Sequence, residues 1–468
     1  MRYSTRDSTT QKIIIIFLSI LFLFQPITNS LSSLNQKLLY NDINLTINEN
    51  KLLIIIPEKF VGTQIDRLSD SKNNQDIENI VRTTKYIYNS FVGRDESEKI
   101  KYCIKHAFDE LDISSVLLIG DFKDIPVRYC HNNDGFQSLE PYFISDLYYA
   151  DLYDEQGFFS SWNADNDSLF GEWNGQYAED DEISLTPEVS VGRLPCSNRF
   201  ELKTMIDKII RYEKALDYDE WFHRIVVAGG DTYSEARGYN DSVFRFYEGE
   251  EQAKKIMNVM SDFQSTPLFA SEATLSTFSV FNSIWNGCGF LYLSGHGSPG
   301  LWCTHPPNSA EKVGNFPNLI IPLLRNKYKL PVCIVGACQI SKFDVHPTRI
   351  FQDAFLYGTW RPECWSWKLT SSPFGGAIAT LGCTGLSWMG IEFNGGGSDW
   401  LELEFFKEYA NGTTILGDIW KNVITRYVNE FPIDWDTPSG ETSSLDAKTV
   451  QEWTLIGDPT LEIGGRVK

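Results

Sequence analysis

Short runs of consecutive apolar residues recur along the chain, each closed by glycine, proline or a small polar residue. Residues 52–56 end at Pro57, residues 116–119 at Gly120-Asp121, and residues 188–191 at Gly192-Arg193. A second series follows: 225–228 before Gly229-Gly230-Asp231, 290–293 before Ser294-Gly295-His296-Gly297, 332–335 before Gly336-Ala337-Cys338, and 376–381 before Gly382-Cys383-Thr384. Unbroken apolar strands, as opposed to alternating ones, are those buried on both faces of a parallel sheet. The segments between them have helical character. Residues 199–216 place Phe200, Met205, Ile209 and Ile210 on one face, and 243–260, 399–410, 414–430 and a polar stretch around 74–110 read likewise. This alternation predicts an α/β fold: a mainly parallel sheet flanked by helices, in two adjacent subdomains with a boundary near residue 218. Residues 131–182 break the pattern, being aromatic, acidic and Asn-rich with little periodicity.

The N-terminus is patterned differently. Arg2, Arg6 and Lys12 precede an almost unbroken apolar stretch, 13–24, followed by Pro26, Asn29, Ser30, Ser32 and Ser33. A basic start, a short apolar core and small polar residues predict a secretory signal peptide over 1–32. The core is shorter than the roughly 20 residues a spanning helix needs, so an uncleaved N-terminal anchor is the alternative, and membrane contact is expected only in that case. On this reading 33–50 is a short linker, 51–218 an N-terminal α/β subdomain and 219–468 a second one, and the protein is secreted or at the cell surface. Asn44, Asn166, Asn240 and Asn411 begin Asn-x-Ser/Thr triplets, which are permissive of glycosylation.

Composition narrows the partners. The 468 residues carry 62 acidic against 41 basic side chains, a net charge of −21. With 42% hydrophobic and 22% charged residues this is a globular chain, not a disordered acidic one. A nucleic-acid partner is not expected, since phosphate binding needs clustered Lys and Arg. The nine cysteines include no Cys-x-x-Cys pair, so a zinc ribbon is not expected. Cys103, Cys333 and Cys383 lie in apolar runs and are expected as buried thiols.

Two reactive side chains follow consecutive apolar strands: His296 after 290–293 and Cys338 after 332–335. In open α/β sheets functional groups collect beyond the carboxyl ends of the strands. If these strands are neighbours, an imidazole and a thiol share one rim. That pairing suits attack on a carbonyl, because a thiolate is a strong nucleophile and a nearby His shuttles its proton. Gly297 allows close approach of a peptide carbonyl, and the N–H groups of Gly297 and Cys338 are candidates to hold the developing oxyanion. The plainer alternative is a small buried thiol and a surface imidazole.

The segments Tyr292-Leu293-Ser294-Gly295-His296-Gly297-Ser298 and Cys333-Ile334-Val335-Gly336-Ala337-Cys338-Gln339 resemble the His-Gly and Ala-Cys blocks of caspase-like cysteine peptidases. Within that group the chain most resembles the gingipain family, peptidase family C25. Tyr142-Phe143-Ile144-Ser145-Asp146-Leu147-Tyr148-Tyr149, Pro187-Glu188-Val189-Ser190-Val191-Gly192-Arg193, Gly382-Cys383-Thr384-Gly385-Leu386-Ser387-Trp388 and Leu455-Ile456-Gly457-Asp458-Pro459-Thr460-Leu461 are similar to further family segments, in the same order. The resemblance implies a caspase-like fold and a secreted cysteine endopeptidase acting on proteins or peptides. Cys338 would be nucleophile, His296 general acid/base, Gly297 and Cys338 the oxyanion hole, and Trp388 a wall of the S1 pocket. Glu188 would orient His296, the alternative being a solvated residue at a strand start. Asp146 is a candidate substrate-binding acid by motif alone. Neither a long pro-domain nor an appended C-terminal region is expected. The rival readings are a non-catalytic surface-binding protein on the same scaffold and a transpeptidase using the same acyl-enzyme chemistry.

Asn163, Asp165 and Asp167 alternate oxygen-bearing side chains, with Glu172 beyond, a spacing that suits a hard cation such as Ca²⁺. A structural calcium is expected there, with a solvated acidic loop as the alternative. No organic cofactor is expected. Gly295-x-Gly297-x-x-Gly300 spells a dinucleotide fingerprint, but Pro306 and Pro307 oppose the helix it requires. His305 and His346 are expected as surface or packing residues.

Overall fold

The computed structural model describes residues 51–465, apart from 138, 182, 215–219, 234–246, 346–362 and 391–394. The signal-peptide segment 1–32, the linker 33–50, the boundary at 218, His346, and the triplets at Asn44 and Asn240 lie outside the described residues. The described residues form one compact unit.

One sheet organises that unit. Its strands are β1 (Leu52–Ile56), β2 (Asn79–Thr83), β3 (Ser115–Ile119), β4 (Ser190–Leu194) and β5 (Arg224–Gly229). They continue as β6 (Gln264–Phe269), β7 (Phe290–Ser294), β8 (Val332–Gly336), β9 (Ala379–Cys383) and β10 (Trp453–Ile456). The order across the sheet is β2-β1-β3-β4-β10-β9-β8-β7-β5-β6. All pairings are parallel except β9 with β10. The apolar runs are thus the central strands, and β1, β3 and β7 are buried along their whole length. The expected α/β class and the parallel sheet between helices are what the molecule has. Among the flanking helices, Gly397–Ala410 packs on Glu248–Val259 and Leu416–Glu430.

The differences fall where burial is one-sided or complete. The stretch 74–110 is not one helix: it contains β2 and the helices Thr84–Ser90 and Glu96–Leu111. β2 and β6 are edge strands, so neither carries a continuous apolar run, and β6 includes Pro267, which an edge tolerates. The helix Thr442–Glu452 has the polar sequence TSSLDAKTVQE, yet every residue from Ser444 to Glu452 is buried. It therefore shows no amphipathic stripe.

Two devices fix the frame. Lys72 is fully buried between Glu213, at 2.5 Å, and Asp458, at 2.7 Å, tying the helices Thr63–Asn73 and Arg199–Glu213 to the C-terminal turn. Asp458 also accepts from the Thr460 N–H and hydroxyl, at 2.9 and 2.8 Å, which explains why that turn needs Asp and Thr two residues apart. The aperiodic region is a layer of loops beyond the hairpin Arg128–Cys130/Phe143–Ser145. Buried Asp151 organises it, accepting from Ser160 Oγ at 2.9 Å, Ser184 Oγ at 2.5 Å and Trp162 Nε1 at 2.5 Å.

Candidate active site

The carboxyl ends of β5, β7, β8 and β9 meet at one cavity of about 290 Å³. β7 and β8 are direct parallel neighbours, with Ser294 opposite Gly336. After β7 the chain enters a hairpin, His296–Ser298 against Leu301–Thr304, with His296 opposite Cys303. The Gly295 N–H donates to the Gly336 carbonyl at 3.0 Å, joining the two turns. A Cβ on Gly297 would lie 2.4 Å from the Cys338 carbonyl oxygen, so only glycine permits this approach. His296 and Cys338 consequently line the same cavity.

Of the nine cysteines Cys338 alone is not buried, and none is in a disulfide. Burial pushes the thiols of Cys103, Cys288 and Cys364 up to about 12, and those of Cys333 and Cys383 well above the ordinary value. The Cys338 thiol lies 3.7 Å from the Ser387 carbonyl oxygen. The next residue, Gln339, has φ +53°, a left-handed conformation that costs a non-glycine residue and recurs at functional turns. It is held on both sides: its N–H donates to the Gly385 carbonyl at 2.8 Å, and its Nε2 to Glu140 Oε1 at 2.9 Å.

The Nε2 of His296 lies 3.1 Å from the Thr232 carbonyl oxygen, in the turn after β5. The ring of His305 meets it edge-on, with centroids 5.2 Å apart. Glu248 secures the Thr232 turn, accepting from the N–H of Thr232 and, at 3.1 Å, from that of Tyr233. Burial raises the Glu248 carboxyl to about 7 against the pull of these bonds. Trp388 forms a wall of the cavity, with Nε1 donating to Asp134 Oδ2 at 2.9 Å and its ring tilted onto Phe136 at 5.2 Å.

The sequence profile of peptidase family C25 matches residues 46–464. The chain belongs to peptidase family C25. It is similar to gingipain R2 of Porphyromonas gingivalis, 21% identical over 416 residues, which cover 88% of this chain and 45% of that protein. It thus spans less than half the length of that relative. An uncharacterized protein of Archaeoglobus fulgidus is 20% identical over 73% of this chain and 77% of its own. Among solved structures, the Arg-specific cysteine proteinase gingipain R shares the fold with a TM-score of 0.61 at 18% identity, covering 89% of this chain and 78% of that one. A complex of gingipain pro- and mature domains gives 0.58 at 20% identity, over 88% and 80%.

In this C25 chain two expected residues stand elsewhere. Glu188 precedes β4, which β10, β9 and β8 separate from β7, so sheet order keeps it from His296. Its Oε2 accepts from the Leu152 N–H at 2.6 Å, and burial beside Asp151 raises the carboxyl to about 7. Asp146 faces Arg193, with both oxygens at 2.7 Å from the guanidinium, so its charge is already matched inside the fold. Neither lines the cavity. His305, expected as surface or packing, is buried and lines it beside His296.

One acid at the cavity has no sequence signal. Glu402, from the helix Gly397–Ala410, reaches the floor because Gly336 lacks a side chain: a Cβ there would lie 2.2 Å from Glu402 Oε1. Burial, with Asp399 nearby, holds this carboxyl well above the usual range although Tyr292 donates its hydroxyl at 2.6 Å.

The acidic loop 163–172 does not line the cavity. Ligand oxygens of Asp165, Asp167 and Glu172 fall within 4.8 Å of one another. Asn163 shapes the turn, its Nδ2 donating to the carbonyls of Asp167 at 3.1 Å and Leu169 at 2.8 Å, while its buried Oδ1 has no hydrogen-bond partner among the described residues. Burial and the neighbouring Glu179, Asp167 and Asp165 raise the Glu172 carboxyl. Crowded hard oxygens of this kind fit Ca²⁺.

Proposed function

We propose that the protein is a secreted or cell-surface cysteine endopeptidase working through Cys338 and His296. His296 takes the thiol proton, and the thiolate attacks the scissile carbonyl. The N–H groups of Gly297 and Cys338 receive the oxyanion. The intermediate collapses to a thioester as His296 returns the proton to the leaving amine, and water then releases the acid. The observation that carries this reading is the combination at one rim: the single unburied thiol of nine, beside an imidazole whose Nε2 is directed at a backbone carbonyl. A thiol and an imidazole both kept in an open cavity favour catalysis over the surface-binding alternative. Partition between water and an added amine separates hydrolase from transpeptidase.

Trp388 and Glu402 are the residues proposed to read the substrate. Glu402 is a buried acid at the pocket floor that an entering basic P1 side chain would pair with and ionise, and the net charge of −21 attracts basic peptides. Arg specificity in the name of a solved relative points the same way. Asp165, Asp167 and Glu172, with the Asn163 amide oxygen, are proposed to hold a structural Ca²⁺.

The test is a fluorogenic peptide library scanned at P1. Cleavage is expected after Arg or Lys, lost in Cys338→Ala with an unchanged circular dichroism spectrum, and lowered at least about 100-fold in His296→Ala. Full activity in a folded Cys338→Ala protein would sink the assignment. A P1 preference that survives Glu402→Gln would remove Glu402 from the specificity pocket.

A further inference from the structure

Beneath the cavity wall lies a buried charge cluster that the chemistry above does not use. Lys448, on the buried helix Thr442–Glu452, donates to Asp134 Oδ2 at 2.5 Å and to Glu140 Oε2 at 2.8 Å. Each of these carboxylates has a second client at the active site. Asp134 Oδ2 also accepts from Trp388 Nε1 at 2.9 Å. Glu140 Oε2 also accepts from the Leu386 N–H at 2.8 Å, and its Oε1 from Gln339 Nε2 at 2.9 Å. A third buried acid, Glu452, packs under the same loop: a Cβ on Gly385 would lie 2.5 Å from its Oε2.

We propose that Lys448 is a positioning residue for the active site, acting through Asp134 and Glu140 to hold the Trp388 wall and the Cys338-Gln339 turn at once. The proposal rests on the reading of Cys338 as nucleophile and concerns how its surroundings are kept in place. One ammonium bridges two buried acids from the same loop, with the third, Glu452, close enough to interact with it electrostatically. Burial alone would lower the Lys448 ammonium, yet Glu140, Glu452 and Asp134 together hold it above the ordinary lysine value. The acceptors come from residues 134–140, before β4, whereas Cys338 and Trp388 follow β8 and β9. Lys448 therefore joins a loop of the first half of the chain to the site of the second. Charged hydrogen bonds of this kind define geometry to fractions of an ångström, and a misplacement of about 1 Å can cost about 100-fold in rate.

The experiment compares Lys448→Met and Glu140→Gln with wild type and with Lys208→Met. Lys208 is a buried lysine that donates to the carbonyls of Thr370 and Gly375 and does not line the cavity. Two readouts are taken well below each melting temperature: kcat and KM on the best peptide, and the rate at which iodoacetamide alkylates Cys338. Lys448→Met and Glu140→Gln are expected to lower kcat/KM at least about 10-fold and to change the alkylation rate. Lys208→Met is expected to lower the melting temperature with both rates intact. If the Lys448 and Glu140 variants lose melting temperature but keep both rates within about twofold of wild type, the positioning role is overturned. Should Lys448→Met fail to fold, the isosteric Glu140→Gln decides alone. If wild type cleaves no peptide, the functional reading falls, while the alkylation arm still decides the positioning.

Discussion

Three acids, Asp180, Glu188 and Glu248, keep their protons to about 7, burial being the largest cause in each. In an unfolded chain Asp and Glu ionise near pH 4. Between these values the folded protein holds more protons than the unfolded one, so stability falls as pH rises from about 4 to about 7. The melting temperature is expected to be higher at pH 5 than at pH 7.5, and Glu188→Gln, which removes one such group, to make its slope against pH shallower. An unchanged slope in Glu188→Gln would show that this carboxyl is ionised in the folded state. At this scale the sequence was informative for residues whose setting is local. Cys338 and His296 follow apolar strands in Gly-containing turns, and both reach the cavity. Glu402, Thr232, Asp134 and Lys448 reach the site only through packing between distant segments, and no spacing in the chain announces them. Glu188 misled for the same reason: its motif is local, but the order of strands decides which rim it faces.

Elements were legible in proportion to how one-sidedly or completely they are apolar. The doubly buried strands stood out, whereas edge strands β2 and β6 and the buried polar helix Thr442–Glu452 did not, because what they bury is backbone or charge. Such buried charge has a stability consequence. Lys72 lies between Glu213 and Asp458 with all three side chains fully buried, so Lys72→Met leaves two buried acids facing each other. A loss of about 3–5 kcal/mol is expected from breaking such a pair, read as a fall in the urea midpoint; a loss below about 1 kcal/mol would mean that water relieves the acids. The loop 163–172 gives the opposite case, a cluster in which burial and neighbouring acids raise the Glu172 carboxyl and for which a bound cation is proposed. Adding Ca²⁺ is expected to raise the melting temperature, a chelator to lower it, and Asp165→Asn with Asp167→Asn to abolish the difference. No calcium response in wild type would leave the loop as solvated acids.

On the scale of the whole molecule, the final strand is the decisive connection. β10 is the last of the described strands yet lies between β4 and β9, antiparallel to β9 and in register with β4 at Arg193–Ile456. Its flanks carry the two buried lysine clusters: Lys448 in the helix before it reaches Asp134 and Glu140, and Asp458 just after it reaches Lys72. Strands from before and after residue 218 form two blocks of one sheet, and these contacts cross from one block to the other. Neither block can open without stripping charged partners from the second, a penalty of several kcal/mol. Urea unfolding is therefore expected as one transition, with tryptophan fluorescence and far-UV circular dichroism superimposing. Truncation before Thr442 is expected to abolish that transition, not to lower its midpoint alone, because it removes β10 and both lysine-linked anchors together. Two separated transitions in the intact chain would show that the blocks fold independently and that β10 merely lies against them.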